Sequence, residues 1–192
     1  MIRIVVVDDH PALRAGLSTV LRAEPGLVHV GASGGDDESL WPVLDTARPD
    51  VVLLDFHLPG ADGLQLCLRI KERLLAPKVV LYSAHAGRGL ALPAALAGAD
   101  ALTSKAAPAR ELFEVIRRVA RGERVLPPVT REQLDQASEQ IGEEDLPVLG
   151  LLLQGASRTD IAAALALPVA EVPDRIRRLL GALRPPIAQD TL

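Results

Sequence analysis

The sequence predicts an α/β protein, an open five-stranded parallel sheet followed by a smaller all-α unit. Three observations carry this. Short β-branched apolar runs alternate with helical patterns five times over residues 1–122. Those runs are continuously apolar rather than alternating, as expected of strands covered on both faces. After residue 122 the strand-like runs stop and only helical patterns remain.

The elements follow in order. Residues 2–7, IRIVVV, form the first strand and end on Asp8-Asp9. Pro11 follows, a residue favoured in the first turn of a helix. Leu13, Leu17, Val20 and Leu21 then recur at helical spacing. Residues 27–32 are the second strand and 39–47 a helix with Leu40, Val43 and Leu44 on one side. The third strand, 51–54, runs into Asp55 and breaks at Pro59-Gly60 and Asp62-Gly63. A helix over 63–74 is expected to turn Leu64, Leu68 and Leu75 inward. The fourth strand, 79–82, ends on Ser83. A helix over 90–97, with Pro93 near its start, leads to a fifth strand at 101–103 that runs on towards Lys105. The last helix of this part places Leu112, Val115, Ile116 and Val119 inward and four arginines outward. Parallel strands need helical crossovers, and five of them in this order suit a flavodoxin-like sheet.

Composition narrows the function. With 192 residues, 48% of them hydrophobic, a packed core is expected. Aromatics at 2% argue against stacking of single-stranded nucleic acid. A net charge of −4 argues against a dominant polyanion footprint. Cys67 stands alone, so no internal disulfide can form, which fits a reducing cytosol. The first residues turn acidic too soon for a signal peptide, and no apolar run reaches the ~18 residues that span a bilayer. A cytoplasmic protein without membrane contact is expected.

In an open parallel sheet, ligands bind beyond the carboxyl ends of the strands at the switch point. That edge collects Asp8, Asp9, Asp55, Ser83 and Lys105. Crowded carboxylates repel unless a cation neutralises them, and hard oxygen ligands suit Mg²⁺. A hydroxyl and an ammonium suit phosphoryl oxygens. An aspartate flanked by both can attack phosphorus.

The stretches VVVDDHPALRAGL, VVLLDFHLPGADG, VVLYSA and GADALTSK closely resemble the receiver domain of two-component response regulators over residues 1–122. The resemblance implies that Asp55 accepts phosphate from a sensor histidine kinase. It implies Mg²⁺ held by Asp8, Asp9, Asp55 and the backbone carbonyl of His57, with Ser83 as switch hydroxyl and Lys105 as phosphate contact. Its only chemistry would be self-phosphorylation and self-dephosphorylation at Asp55. Receivers usually carry an aromatic three residues before the lysine; Leu102 stands there, so the usual coupling to an aromatic rotamer is absent. His57 and His85, two residues beyond Asp55 and Ser83, are candidates for tuning the phosphate lifetime.

Residues 123–140 read as a polar linker, partly helical, and 186–192 as a tail. Residues 141–185 resemble the LuxR-type helix-turn-helix of NarL/FixJ regulators, carried by Gly155, Ser157, Asp160, Ile161, Ala162, Leu165, Leu167, Val172 and Leu179. Ser157 and Asp160 approximate a capping box. The DNA-facing positions depart from the pattern: Glu171, Pro173 and Arg175 replace polar and basic residues. Pro173 requires the recognition helix to begin late or bend. From 141 on there are five arginines against seven acidic residues, a net charge of −2. Arg175, Arg177, Arg178 and Arg158 are the candidate DNA contacts. The resemblance implies a transcriptional regulator that homodimerises when phosphorylated. The alternative is a phosphoacceptor signalling protein whose degenerate helix-turn-helix binds protein instead of DNA.

Overall fold

A computed structural model describes residues 1–58, 61–84 and 87–183. The elements run β1 (Ile2–Val7), α1 (Pro11–Ala23), β2 (Leu27–Ser33), α2 (Asp37–Ala47) and β3 (Val51–Asp55). A two-stranded antiparallel hairpin follows, β4 (His57–Leu58) and β5 (Ala61–Asp62). Then come α3 (Gly63–Lys71), β6 (Lys78–Ser83), α4 (Ala91–Leu96), β7 (Ala101–Ser104) and α5 (Ala109–Ala120). Four further helices follow among the described residues: α6 (Arg131–Gln140), α7 (Leu146–Leu153), α8 (Arg158–Ala164) and α9 (Val172–Ala182). They divide into two compact units, Met1–Ala86 with Ala97–Pro127, and Gly87–Leu96 with the chain from Pro128 on.

In the first unit the five long strands pair in the order β2-β1-β3-β6-β7, all parallel. All five residues of β3 are buried, which explains its unbroken apolar run. On one face Leu17 and Leu21 of α1 and Leu112, Phe113, Ile116 and Val119 of α5 pack with Ile4, Val6, Leu53 and Val80. Each such side chain contributes about 1.5–3 kcal/mol on burial.

One inward prediction fails. Helix α3 ends at Lys71, and Leu75 is 91% exposed beside an equally exposed Leu74. The Leu64–Leu68 stripe reaches residue 75 only if the helix continues, and the chain instead turns towards Pro77 and β6.

At the opposite end of the sheet from the acidic residues, Asp100 ties three elements together. Its carboxylate accepts from Lys71 Nζ (2.9 Å), Lys78 Nζ (3.2 Å) and the Val79 amide (2.8 Å). Asp100→Ala removes the acceptor these donors share in a mostly buried site, leaving Lys71 the Pro77 carbonyl at 3.3 Å. We expect a loss of about 3 kcal/mol in urea unfolding, with the slope unchanged.

His29 on β2 shares a hydrogen bond through Nδ1 with Ser18 Oγ (3.1 Å), while its buried Nε2 has no hydrogen-bond partner among the described residues. Burial, reinforced by Arg22, pushes its pKa below the ordinary 6.5. The unfolded chain therefore binds the proton more readily. The stability this group allows is present above about pH 6.5 and is lost as pH falls below it. Unfolding from about pH 8 to about pH 5 should show a steeper loss in the wild type than in His29→Gln.

In the second unit α4 packs with α7 and α9, and α8 with α9. Leu92, Leu96, Val148, Leu149, Ile161, Ile176 and Leu179 are buried there. Proline explains two of the helix starts. Pro147 and Pro173 fall in the first turns of α7 and α9, where an N–H has no partner within the helix. Of the late start or bend expected from Pro173, α9 shows the late start: a 3₁₀ turn over Val169–Glu171 precedes it. The Ser157–Asp160 capping box closes in both directions, at 3.2 and 3.1 Å. Helix α6 is capped likewise by Thr130 and Gln133.

Candidate functional site

Strand register brings the acidic residues together. Val7 pairs with Leu54, so Asp8 leaves β1 beside Asp55 at the end of β3. Asp55 pairs with Tyr82, placing Ser83 one step further along β6. Ser83 pairs with Ser104, and the Lys105 amide donates to the Ser83 carbonyl at 2.9 Å. Four neighbouring strand ends thus deliver Asp8, Asp55, Ser83 and Lys105 to one rim.

The side chains converge. Lys105 Nζ donates to Asp8 Oδ2 and to Asp55 Oδ2, each at 2.7 Å. Both carboxylates are buried, at 1% and 2% exposure, so neither could stay charged without a cation beside it. Burial pushes Asp55 above the usual carboxylate range, and the Lys105 ammonium does not fully reverse this. Burial acts the same way on Asp8, but Lys105 and the His10 amide outweigh it and hold Asp8 below that range. The two carboxylates keep the lysine protonated, raising its pKa against the effect of burial. Asp55 Oδ1 accepts from the His57 amide at 3.2 Å.

Asp9 stands at the mouth. Its Oδ1 lies 2.7 Å from His10 Nδ1 but without hydrogen-bond alignment, so this buried oxygen has no hydrogen-bond partner among the described residues. Asp9 does not cap α1: the N-cap position is His10, and its side chain makes no capping bond. Asp8, Asp9, His10 and Asp55 each offer one donor atom, all within 4.8 Å of one another. Ser83 is fully buried at this rim. Leu102 is buried on β7; the aromatic ring near the lysine is Tyr82, its centroid 5.8 Å from Nζ. His57 is exposed on the β4–β5 hairpin, edge-on to Phe56. His85 lies outside the described residues.

Three contributors were not marked by sequence reasoning. His10 follows two aspartates and precedes a helix, which reads as a helix entry. Tyr82 reads as one more strand residue. Gly63 reads as a turn glycine, yet a Cβ there would lie 2.4 Å from the Asp55 carbonyl oxygen and 2.7 Å from that of Phe56. The helix α3 backbone presses directly on the strand end that carries Asp55.

The arginines proposed to meet DNA are engaged within the helical unit. Arg175 binds Glu171, the Glu144 carbonyl and Asp145; Arg178 binds Asp145; Arg177 pairs with Asp174. Arg158 is the first residue of α8, half-buried.

Comparison with known proteins agrees with this geometry. Residues 4–117 match the response regulator receiver domain family. The chain is 30% identical to the DNA-binding transcriptional activator DevR/DosR of Mycobacterium tuberculosis, over 95% of this chain and 88% of that one. It is 25% identical to the nitrate/nitrite response regulator NarL of Escherichia coli, over 94% of this chain and 88% of the relative. Among solved structures, a LuxR-family two-component response regulator from Aurantimonas sp. is similar over 70% of this chain and 99% of its own. The TM-score is 0.62 and the identity 28%. The response regulator ChrA of a heme-sensing two-component system matches over 95% and 96% of the two chains, with TM-score 0.54 and 27% identity. With its acidic rim, its lysine and its strand order in place, the chain belongs to the response regulator receiver family.

Proposed function

We propose that this chain is a transcriptional response regulator in which Asp55 receives a phosphoryl group from a sensor histidine kinase. The observation that carries the reading is the pair of 2.7 Å bonds by which Lys105 holds Asp8 and Asp55 side by side on a buried rim. An Asp55 carboxylate oxygen attacks phosphorus, the P–N bond to the kinase histidine breaks, and the electron pair stays on the imidazole nitrogen. Lys105 turns its donors to the incoming phosphoryl oxygens, and the Ser83 hydroxyl takes another of them. In the reverse half, water attacks phosphorus and Asp55 leaves as the carboxylate. Self-phosphorylation and self-dephosphorylation at Asp55 are the only chemistry assigned.

The donor set fits a hard divalent cation: oxygens predominate, and the buried Asp9 Oδ1 lacks a hydrogen-bond partner among the described residues. Asp8, Asp9, Asp55 and the His57 carbonyl would hold Mg²⁺, which when bound neutralises phosphoryl charge. His57 and His85, two residues beyond Asp55 and Ser83 in the sequence, are the residues assigned to tuning the phosphate lifetime.

Residues 1–122 act as receiver, 123–140 as linker, 141–185 as the helix-turn-helix and 186–192 as a tail. Phosphorylation promotes a homodimer, and paired α9 helices read two half-sites about one DNA turn apart, with Arg158, Arg175, Arg177 and Arg178 facing phosphates. Relatives named as transcriptional activators and nitrate/nitrite regulators support this reading. No helix among the described residues is long and apolar enough to cross a membrane, and the cytoplasm is the proposed location. A second reading, protein contact through a degenerate helix-turn-helix, is favoured by Pro173 and by the ion-paired arginines of α9.

A genome-wide DNA selection with and without acetyl phosphate separates the two. Enrichment of a palindromic site by the phosphorylated protein supports the first. No enriched site at low salt supports the second.

A further inference from the structure

The α9 arginines share one acceptor. Asp145 is buried at the N-cap of α7, its side chain 7% exposed, yet it makes no capping bond. Pro147 at the second helical position has no N–H to give it. The carboxylate faces α9 instead. Arg178 approaches it with two donors, Nε to Oδ2 at 3.2 Å and Nη2 to Oδ1 at 3.0 Å. Arg175 Nη1 reaches Asp145 Oδ1 at 3.5 Å and the Glu144 carbonyl at 2.9 Å. Its remaining donors, Nε and Nη2, both point at Glu171 Oε1 at 3.1 Å.

The paired-donor edge of a guanidinium is what binds a phosphate. On Arg178 that edge is filled by Asp145, and on Arg175 by Glu171. A backbone phosphate that takes this edge of Arg175 displaces Glu171, and one that takes this edge of Arg178 displaces Asp145, which would then be left as a buried charge short of a partner, which is costly.

We infer that Asp145, with Glu171 beside it, is an internal competitor for the DNA backbone that sets how tightly the helical unit holds polyanions. The ion pairs convert two phosphate contacts into a fixed α7–α9 clamp. Arg178, with its side chain 53% exposed, remains reachable; Arg175, at 17%, is the more firmly held. The inference rests on the DNA-directed reading of this unit. Its test uses non-specific duplex, so that a failure to select any sequence and a failure of the clamp are separate results.

The full chain is titrated with a non-specific DNA duplex over a range of low salt concentrations. The proteins are the wild type, Asp145→Asn, Glu171→Gln and Glu139→Gln. The last removes the same charge from an exposed position on α6. Asp145→Asn is expected to bind about tenfold more tightly than the wild type. Its plot of log affinity against log salt should steepen by about 0.9 for each arginine released. Glu171→Gln should gain severalfold, and Glu139→Gln less than about twofold. If Asp145→Asn does not fold, Glu171→Gln decides, since its side chain is 41% exposed and its loss leaves the Asp145 pairs intact. Affinity and salt slope matching the Glu139→Gln control in the folded variants would overturn the inference, because a purely structural clamp changes neither. A rise in non-specific affinity without any selected sequence keeps the clamp and removes the transcriptional reading.

Discussion

Replacing Asp55 by Asn is expected to abolish labelling by acetyl phosphate with Mg²⁺, lowering it by at least about a thousandfold, while the protein stays folded. The amide keeps the shape and can still accept from the His57 N–H, but it is no nucleophile. Stability should not fall. Asp55 is a buried carboxylate whose charged form burial disfavours, and Lys105 retains Asp8 as a partner at 2.7 Å. Removing one of two crowded negative charges should leave urea unfolding unchanged or raise it by up to about 1 kcal/mol. Labelling loss with intact stability separates a chemical role from a structural one. Labelling retained in Asp55→Asn would place the acceptor elsewhere.

Gly63→Ala is expected to do the reverse, damaging the fold first and the chemistry through it. A Cβ at 63 would meet the Asp55 carbonyl oxygen at 2.4 Å, the Phe56 carbonyl oxygen at 2.7 Å and Phe56 Cα at 2.8 Å. All three are backbone atoms, so no rotamer change relieves the contact. Either α3 moves outward, breaking the Gly63 N–H bond to the Phe56 carbonyl (3.1 Å), or the end of β3 shifts and carries Asp55 away from Lys105. The expected cost is about 3 kcal/mol in urea unfolding, above the usual range for a surface substitution. Phosphorylation of the remaining folded protein should also slow. A loss below about 1 kcal/mol would show that α3 does not press on the strand end.

Much of the site is legible in the residue order because parallel sheets gather their strand ends. Four apolar runs ending on Asp8, Asp55, Ser83 and Lys105 suffice to place these residues on one rim, and the observed register agrees. Boundaries depended on local chemistry: α9 starts where Pro173 permits, but the expected inward position of Leu75 assumed that α3 continues past Lys71. Contacts that join distant residues leave no periodic trace. Asp145 and Arg178 lie on different helices, and only folding shows that the capping position of α7 holds the arginines of α9. The role of Gly63 was hidden in the same way, since an Asp-Gly pair signals a turn whatever lies beneath it.

We propose that Asp8, Asp9 and Asp55 crowd one rim in order to hold a divalent cation beside the phosphoryl acceptor. A calorimetric titration of Mg²⁺ into the wild type and into Asp9→Asn, which alters a buried oxygen without a hydrogen-bond partner among the described residues, tests this most directly. A saturable one-site heat in the wild type that disappears in the variant is the predicted result. No saturable heat in the wild type, or the same heat in both proteins, would contradict it.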